Sequence, residues 1–151
     1  MPMGKKLFSV VLGLGITSVS IGVAVAQSGR AQPSPSTVQQ AAQFCQEERR
    51  FAEPWIQWAA ESRLACIQQT TSDPERQACM STVLAQLDAL QQEHAEVYRS
   101  QMKALKPDHP VMLSIMQRLQ ANREFAKMAI ETGNDPAQLA MNREQSCLAR
   151  R

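Results

Sequence analysis

The sequence predicts an all-α fold: a small up-down bundle of four to five helices closed by two disulfides. Three observations carry that expectation. After Ser36, the glycine Gly133 and the prolines Pro54, Pro74, Pro107, Pro110 and Pro136 stand where a helix is starting or has just stopped. Proline is tolerated in a first helical turn because its missing N–H would be unpaired there, and glycine suits the left-handed residue after a helix. Strand-like alternation is absent and β-branched residues are scarce over the same stretch. The apolar residues recur at helical spacing instead.

The elements follow in order. Ser36-x-x-Gln39 reads as a capping-box start, with a helix running to about Phe51. Pro54 either kinks this helix or begins a new segment ending near Gln69. Ser72-x-x-Glu75, with Asp73-Pro74 between, opens the longest expected helix, to about Leu105. Asp108 is the expected cap of the next, which ends at Thr132-Gly133, and Asn134-Asp135-Pro136 opens a last short helix through Cys147. Short connections make neighbours antiparallel. The apolar stripes agree: Phe44, Phe51, Trp55 and Trp58 share one helical face, and Val83, Leu87, Leu90, His94 and Val97 form a heptad seam. Ile115, Leu119, Phe125 and Ala129 extend the core onto the following helix.

Ahead of the bundle lies a leader. Lys5 and Lys6 precede an uncharged apolar run from Leu7 to Val23, and Ala24-Val25-Ala26 places small residues where a signal peptidase reads. Residues 1–26 are therefore expected to be a cleaved signal peptide. The glycines and hydroxyl residues of the run suit a membrane span poorly, and no cysteine lies beside Ala26 to carry lipid. Residues 27–36 (QSGRAQPSPS) cannot repay their ordering entropy and read as a disordered tether, with the folded domain over 37–151. Localisation is expected to be periplasmic or extracellular. The chain carries 16 Lys+Arg against 14 Asp+Glu, but Lys5 and Lys6 leave with the leader, so the mature chain from Gln27 onward, counting Arg30 of the tether, is neutral. Its charges are interleaved, which disfavours nucleic acid and acidic membrane surfaces.

Cys45, Cys66, Cys79 and Cys147 are an even set in an exported chain, which implies disulfides. Cys66 and Cys79 lie equally far from the turn between Ser72 and Asp73, so in an antiparallel hairpin they are level. Levelling carried round the bundle sets Cys147 opposite residue 51, six residues or about 9 Å from Cys45. Fraying or a kink at Pro54 must close that gap for Cys45–Cys147 to form. The gaps of 20, 12 and 67 residues and the absence of CxxC do not favour zinc or a redox centre.

Chemistry-bearing motifs are sparse. No nucleophile elbow, phosphate loop or paired-carboxylate motif stands out, so no enzyme and no cofactor are expected. His94, one turn before Tyr98 on the apolar seam, reads as a buried, hydrogen-bonded and pH-sensitive core residue. Met102, Met112 and Met116 gather at the end next to the 107/108 turn, with His109 beside them. This set offers either a soft surface for a partner or a Cu(I) site.

Leu87-Asp88, Tyr98, Gln117-Arg118, Arg123-Glu124 and Cys147-Leu148, with a cysteine pair flanking a short turn, resemble the exported helical lysozyme inhibitors of the LprI type. The resemblance covers about 85 residues. The spacing from Asp88 to Tyr98 is longer than that family's, and the cysteine expected after the Arg-acid pair is missing. It implies an inhibitor of a cell-wall hydrolase and transfers no site residue. The leading expectation is a non-enzymatic module binding a protein or peptide of the cell envelope, with soft-metal handling or lysozyme inhibition as alternatives. A non-reducing peptide map is expected to join Cys66 to Cys79 and Cys45 to Cys147; a Cys45–Cys66 fragment would overturn the topology.

Overall fold

The computed structural model describes residues 34–151; the expected signal peptide and residues 27–33 of the tether lie outside them. Four helices follow one another: α1 (Pro35–Gln69), α2 (Asp73–Gln101), α3 (Pro110–Thr132) and α4 (Pro136–Leu148). No strand occurs among the described residues. The chain is a small all-α bundle.

Proline sets three of the four helix starts. The residue before a proline is pushed out of the helical region, so it falls naturally into the cap position. Ser34, His109 and Asp135 each precede a proline, hold non-helical backbone and accept an N–H from the first turn of α1, α3 and α4. Two expected caps are corrected by this rule. Ser34, not Ser36, caps α1, whose first turn takes in the last two residues assigned to the tether. His109, not Asp108, caps α3, its Nδ1 accepting from the Val111 N–H at 3.2 Å. For α2 the Ser72–Glu75 capping box is complete. The N–H groups of Thr71 and Ser72 hold the Glu75 carboxyl below its ordinary range.

Two further expectations change. Pro54 does not divide α1, which runs unbroken for 35 residues and is the longest helix instead of α2. Proline leaves the preceding turn short of one donor. Beside that site Asn122 of α3 donates to the Phe51 carbonyl at 3.3 Å. And α2 stops at Gln101, not near Leu105, with Met102 as its C-cap. α3 ends as expected, on Gly133 in the left-handed region (φ +67°), whose N–H bonds the Ala129 carbonyl.

Cross-helix contacts give the directions. Glu48 meets Arg118, Phe51 meets Asn122 and Arg63 reaches Ile130, so α1 and α3 run parallel. Arg123 to Asp88 and Gln120 to Gln91 set α3 antiparallel to α2, and Cys147 to Cys45 with Arg143 to Glu48 set α4 antiparallel to α1. α1 and α3 are the central pair; α2 and α4 flank them and do not touch each other. Small residues make this possible. Ala52 and Ala59 of α1 and Ala126 and Ala129 of α3 are fully buried, and alanines let helix axes approach closely.

The buried face of α1 therefore differs from the aromatic stripe. It carries Cys45, Glu48, Ala52, Trp55, Ala59 and Cys66. Phe44 and Trp58 are half-buried, and Phe51, expected in the core, is 48% exposed on one side. On the seam of α2, Val83 and Leu87 are buried, Leu90 is half-buried, and Val97 is exposed while Ala95 takes an interior place.

Both expected disulfides are present, with Cα separations of 5.6 Å for Cys45–Cys147 and 5.7 Å for Cys66–Cys79. The 9 Å gap closes through register. Cys147 lies level with Cys45 and Arg143 with Glu48, so α4 is displaced by about six residues toward the α1 N-terminus.

Two outcomes follow for stability. Gly133→Ala combines a left-handed backbone with a Cβ that would stand 2.8 Å from Arg63 Nε. It should lower stability by about 1–2 kcal/mol, read as a Tm fall of several degrees. Replacing Cys45 and Cys147 by serine opens a loop spanning 102 positions against 13 for the other pair. By loop-closure entropy it should destabilise more, about 4–5 against about 3 kcal/mol, measured by denaturant unfolding.

Candidate functional site

Two features stand out once the helices are placed. The first is ionic. Glu48, 4% exposed, lies in the buried face of α1. Its Oε1 receives Arg118 of α3 and its Oε2 receives Arg143 of α4, each at 2.6 Å. Burial pushes the Arg143 guanidinium down from its ordinary range; Glu48 opposes that, while Arg150 and Arg118 add to it. Arg118 also lies over the Phe51 ring, 4.4 Å from its centroid, and covers part of that half-exposed aromatic. Nearby, Arg49 joins Glu53 at 2.9 Å and Glu144 at 3.2 Å, which holds its guanidinium above the usual range. A buried carboxylate pinned by two guanidiniums is a register device, because removing one member leaves an uncompensated charge.

The second feature is an apolar groove. Because α4 begins beside Gln57 and Ala60, the last three turns of α1 have no α4 neighbour. The strip Ala60, Leu64, Ile67 on α1 faces the end of α3 at Ala129 and Gly133 and the turn at Asn134–Pro136, around a cavity of about 250 Å³. Leu64 and Ile67 are 53% and 40% exposed. At Pro136 this groove meets a second, about 430 Å³, between Pro54 and Gln57 of α1 and Ala140 and Met141 of α4. Arg63 lines the first groove, but its guanidinium donates to the Ile130 carbonyl at 2.5 Å and so satisfies the end of α3.

The residues singled out from sequence fall elsewhere. Met112 is buried, Met116 is half-buried against the main core, Met102 caps α2, and His109 uses Nδ1 to cap α3. All four lie at or beside the connection between α2 and α3. Tyr98 packs on the core. His94 is half-buried, not fully buried, and meets Trp55 ring to ring at 5.1 Å with a 53° tilt in place of the expected hydrogen bond. Among the described residues, no three His, Cys, Asp or Glu side chains gather as metal ligands, and no helix is long and apolar enough to cross a membrane.

Neither feature was read from sequence. Glu48 does carry a signal: it sits at a 3-4-3-4 position with Cys45, Ala52, Trp55 and Ala59, a charge inside a small-residue stripe. The groove has none, because it depends on where α4 starts.

No protein-family model matches this chain, and neither a curated protein nor a solved structure is significantly similar to it. Its reading therefore rests on its own geometry.

Glu48→Ala would leave Arg118 and Arg143 facing one another. It is expected to cost about 3–5 kcal/mol in denaturant unfolding, while replacing Glu48 and Arg143 together by leucine and methionine should recover most of the loss. Unchanged stability in Glu48→Ala would remove the register role.

Proposed function

We propose that this chain is an exported, non-enzymatic helical module that binds a protein or peptide partner in the cell envelope, after cleavage following Ala26. Two disulfides suit an oxidising compartment, and the basic, apolar, small-residue order of residues 1–26 supports export. The observation that carries the binding role is the strip of Leu64 and Ile67, two large apolar side chains left in solvent beside a groove on a disulfide-stapled frame. Large apolar residues gathered in an open groove mark interaction surfaces.

The groove is open and apolar, which suits a side of a partner more than a small molecule enclosed for reaction. Cys66–Cys79 ties the upper end of α1, one wall of the groove, to α2, and Cys45–Cys147 ties the far end of α4 to α1. Affinity in such a frame comes from preorganisation more than from area.

Tagged full-length chain, expressed with its own leader, should be recovered from the envelope with Gln27 as its first residue by intact mass. Cross-linking before extraction should yield a discrete partner that is lost when both disulfides are reduced. Recovery with Met1 intact would remove the cleavage reading, retention in the cytoplasm would remove the export reading, and the absence of any disulfide-dependent partner would remove the binding reading.

A further inference from the structure

The strongest lead is the continuity between the α1–α4 interface and the open groove above it. α4 covers the side of α1 that carries Cys45, Arg49 and Glu53, and that side continues without interruption into Ala60, Leu64 and Ile67. The spacing 60, 64, 67 is the same 4-3 step that a packed helix face uses. From Ala60 to the end of α1 at Gln69 is about 14 Å at 1.5 Å per residue, room for two to three turns of another helix. The strip is therefore a helix-packing seam whose partner stops short.

We propose that this notch accepts an amphipathic helix of a partner protein. Resting on the binding role proposed above, the occupant lies in line with α4 and antiparallel to α1, its apolar side on Leu64 and Ile67 and its flanks basic. Orientation follows from α4: a helix stacked on its N-terminus and running the same way continues the α1–α4 packing, and its C-terminal end meets the N-terminal end of α4, a favourable alignment of dipoles. Charge follows from the rim. Asp135 lines the notch and Glu61, next to Ala60, is exposed at its edge, which sets two carboxylates against one lining cation, Arg63, whose guanidinium is turned to the α3 carbonyls and keeps its charge. Helix-in-groove recognition of this kind reads apolar anchors at i, i+3, i+4 and i+7. The chain's own front end does not fit the role. Cut after Ala26, it keeps seven residues ahead of Ser34, a reach of about 25 Å. Leu64 lies about 44 Å along α1 from Pro35.

The test uses the oxidised full-length mature chain and two 14-residue synthetic helices. One is patterned from leucine and lysine, the other from leucine and glutamate with the same apolar face, and both are followed by fluorescence anisotropy. The leucine–lysine helix should bind in the micromolar range, and the leucine–glutamate helix at least tenfold more weakly. Leu64→Ser and Ile67→Ser, both at exposed positions, should each weaken the leucine–lysine helix at least tenfold with the melting temperature unchanged. Val97→Ser and Leu113→Ser, exposed at the opposite end, should leave binding unchanged. A photo-cross-linker at the peptide C-terminus should label the Pro136–Ala137 turn. Equal binding of both peptides, equal binding by Leu64→Ser, or C-terminal labelling near Ile67 would each overturn the proposal. So would sedimentation of the wild type as a dimer that Leu64→Ser dissolves, which would make a second copy the occupant. The binding role itself is separable: an envelope partner cross-linked equally by wild type and Leu64→Ser would sink the notch and leave that role standing.

Discussion

The carboxylate of Glu48 joins three of the four helices at one point. A charge this deeply buried is costly unless it is paired, and the pairing here is supplied by Arg118 from α3 and Arg143 from α4. Each guanidinium fixes a register. Arg118 sets α3 parallel to α1 with their alanines opposed, and Arg143 sets where along α1 the short α4 lies. Sliding either helix by one turn would move an arginine about 5 Å away and strand the charge. The ion cluster thus penalises packings in which either helix is shifted by a turn.

The position of α4 then has two consequences that belong together. Set level with Glu48 and Cys45, α4 brings Cys147 to bonding distance of Cys45. The same displacement draws its start away from the upper turns of α1 and exposes Leu64 and Ile67. The staple at one end and the groove at the other are one register seen from two sides. Arg63 makes the exposed end stable by reaching across to the α3 carbonyls that Gly133 leaves behind. The groove is thus bounded by a side chain that ties α1 to the end of α3.

The fold class was legible because each helix boundary is written in short-range chemistry. Asp135-Pro136, Ser72 with Glu75, and Gly133 were found where expected, and the Cys66–Cys79 pair followed from symmetry about its turn. The displaced caps at Ser34 and His109 were legible too, had the rule that the residue before a proline cannot be helical been applied ahead of serine and aspartate preference. The interior of α1 was misread for a different reason. Aromatic side chains drew the buried face toward Phe51, whereas the closest helix contact needs small side chains and turned Ala52 and Ala59 inward. Phe51 was left half in solvent beneath Arg118.

The sequence by itself determined an all-α chain, the Cys66–Cys79 pair, the Ser72–Glu75 and Asp135 caps and the Gly133 stop, since these depend on neighbours within a few positions or on symmetry about one turn. Only the tertiary structure decided that α1 and α3 form the central pair, that Glu48 draws in two arginines 70 and 95 residues away, and that α4 sits low on α1. Those outcomes depend on how long helices slide and rotate against one another, which no local pattern specifies. The apolar groove follows from that sliding, and with it the surface on which a partner would be met.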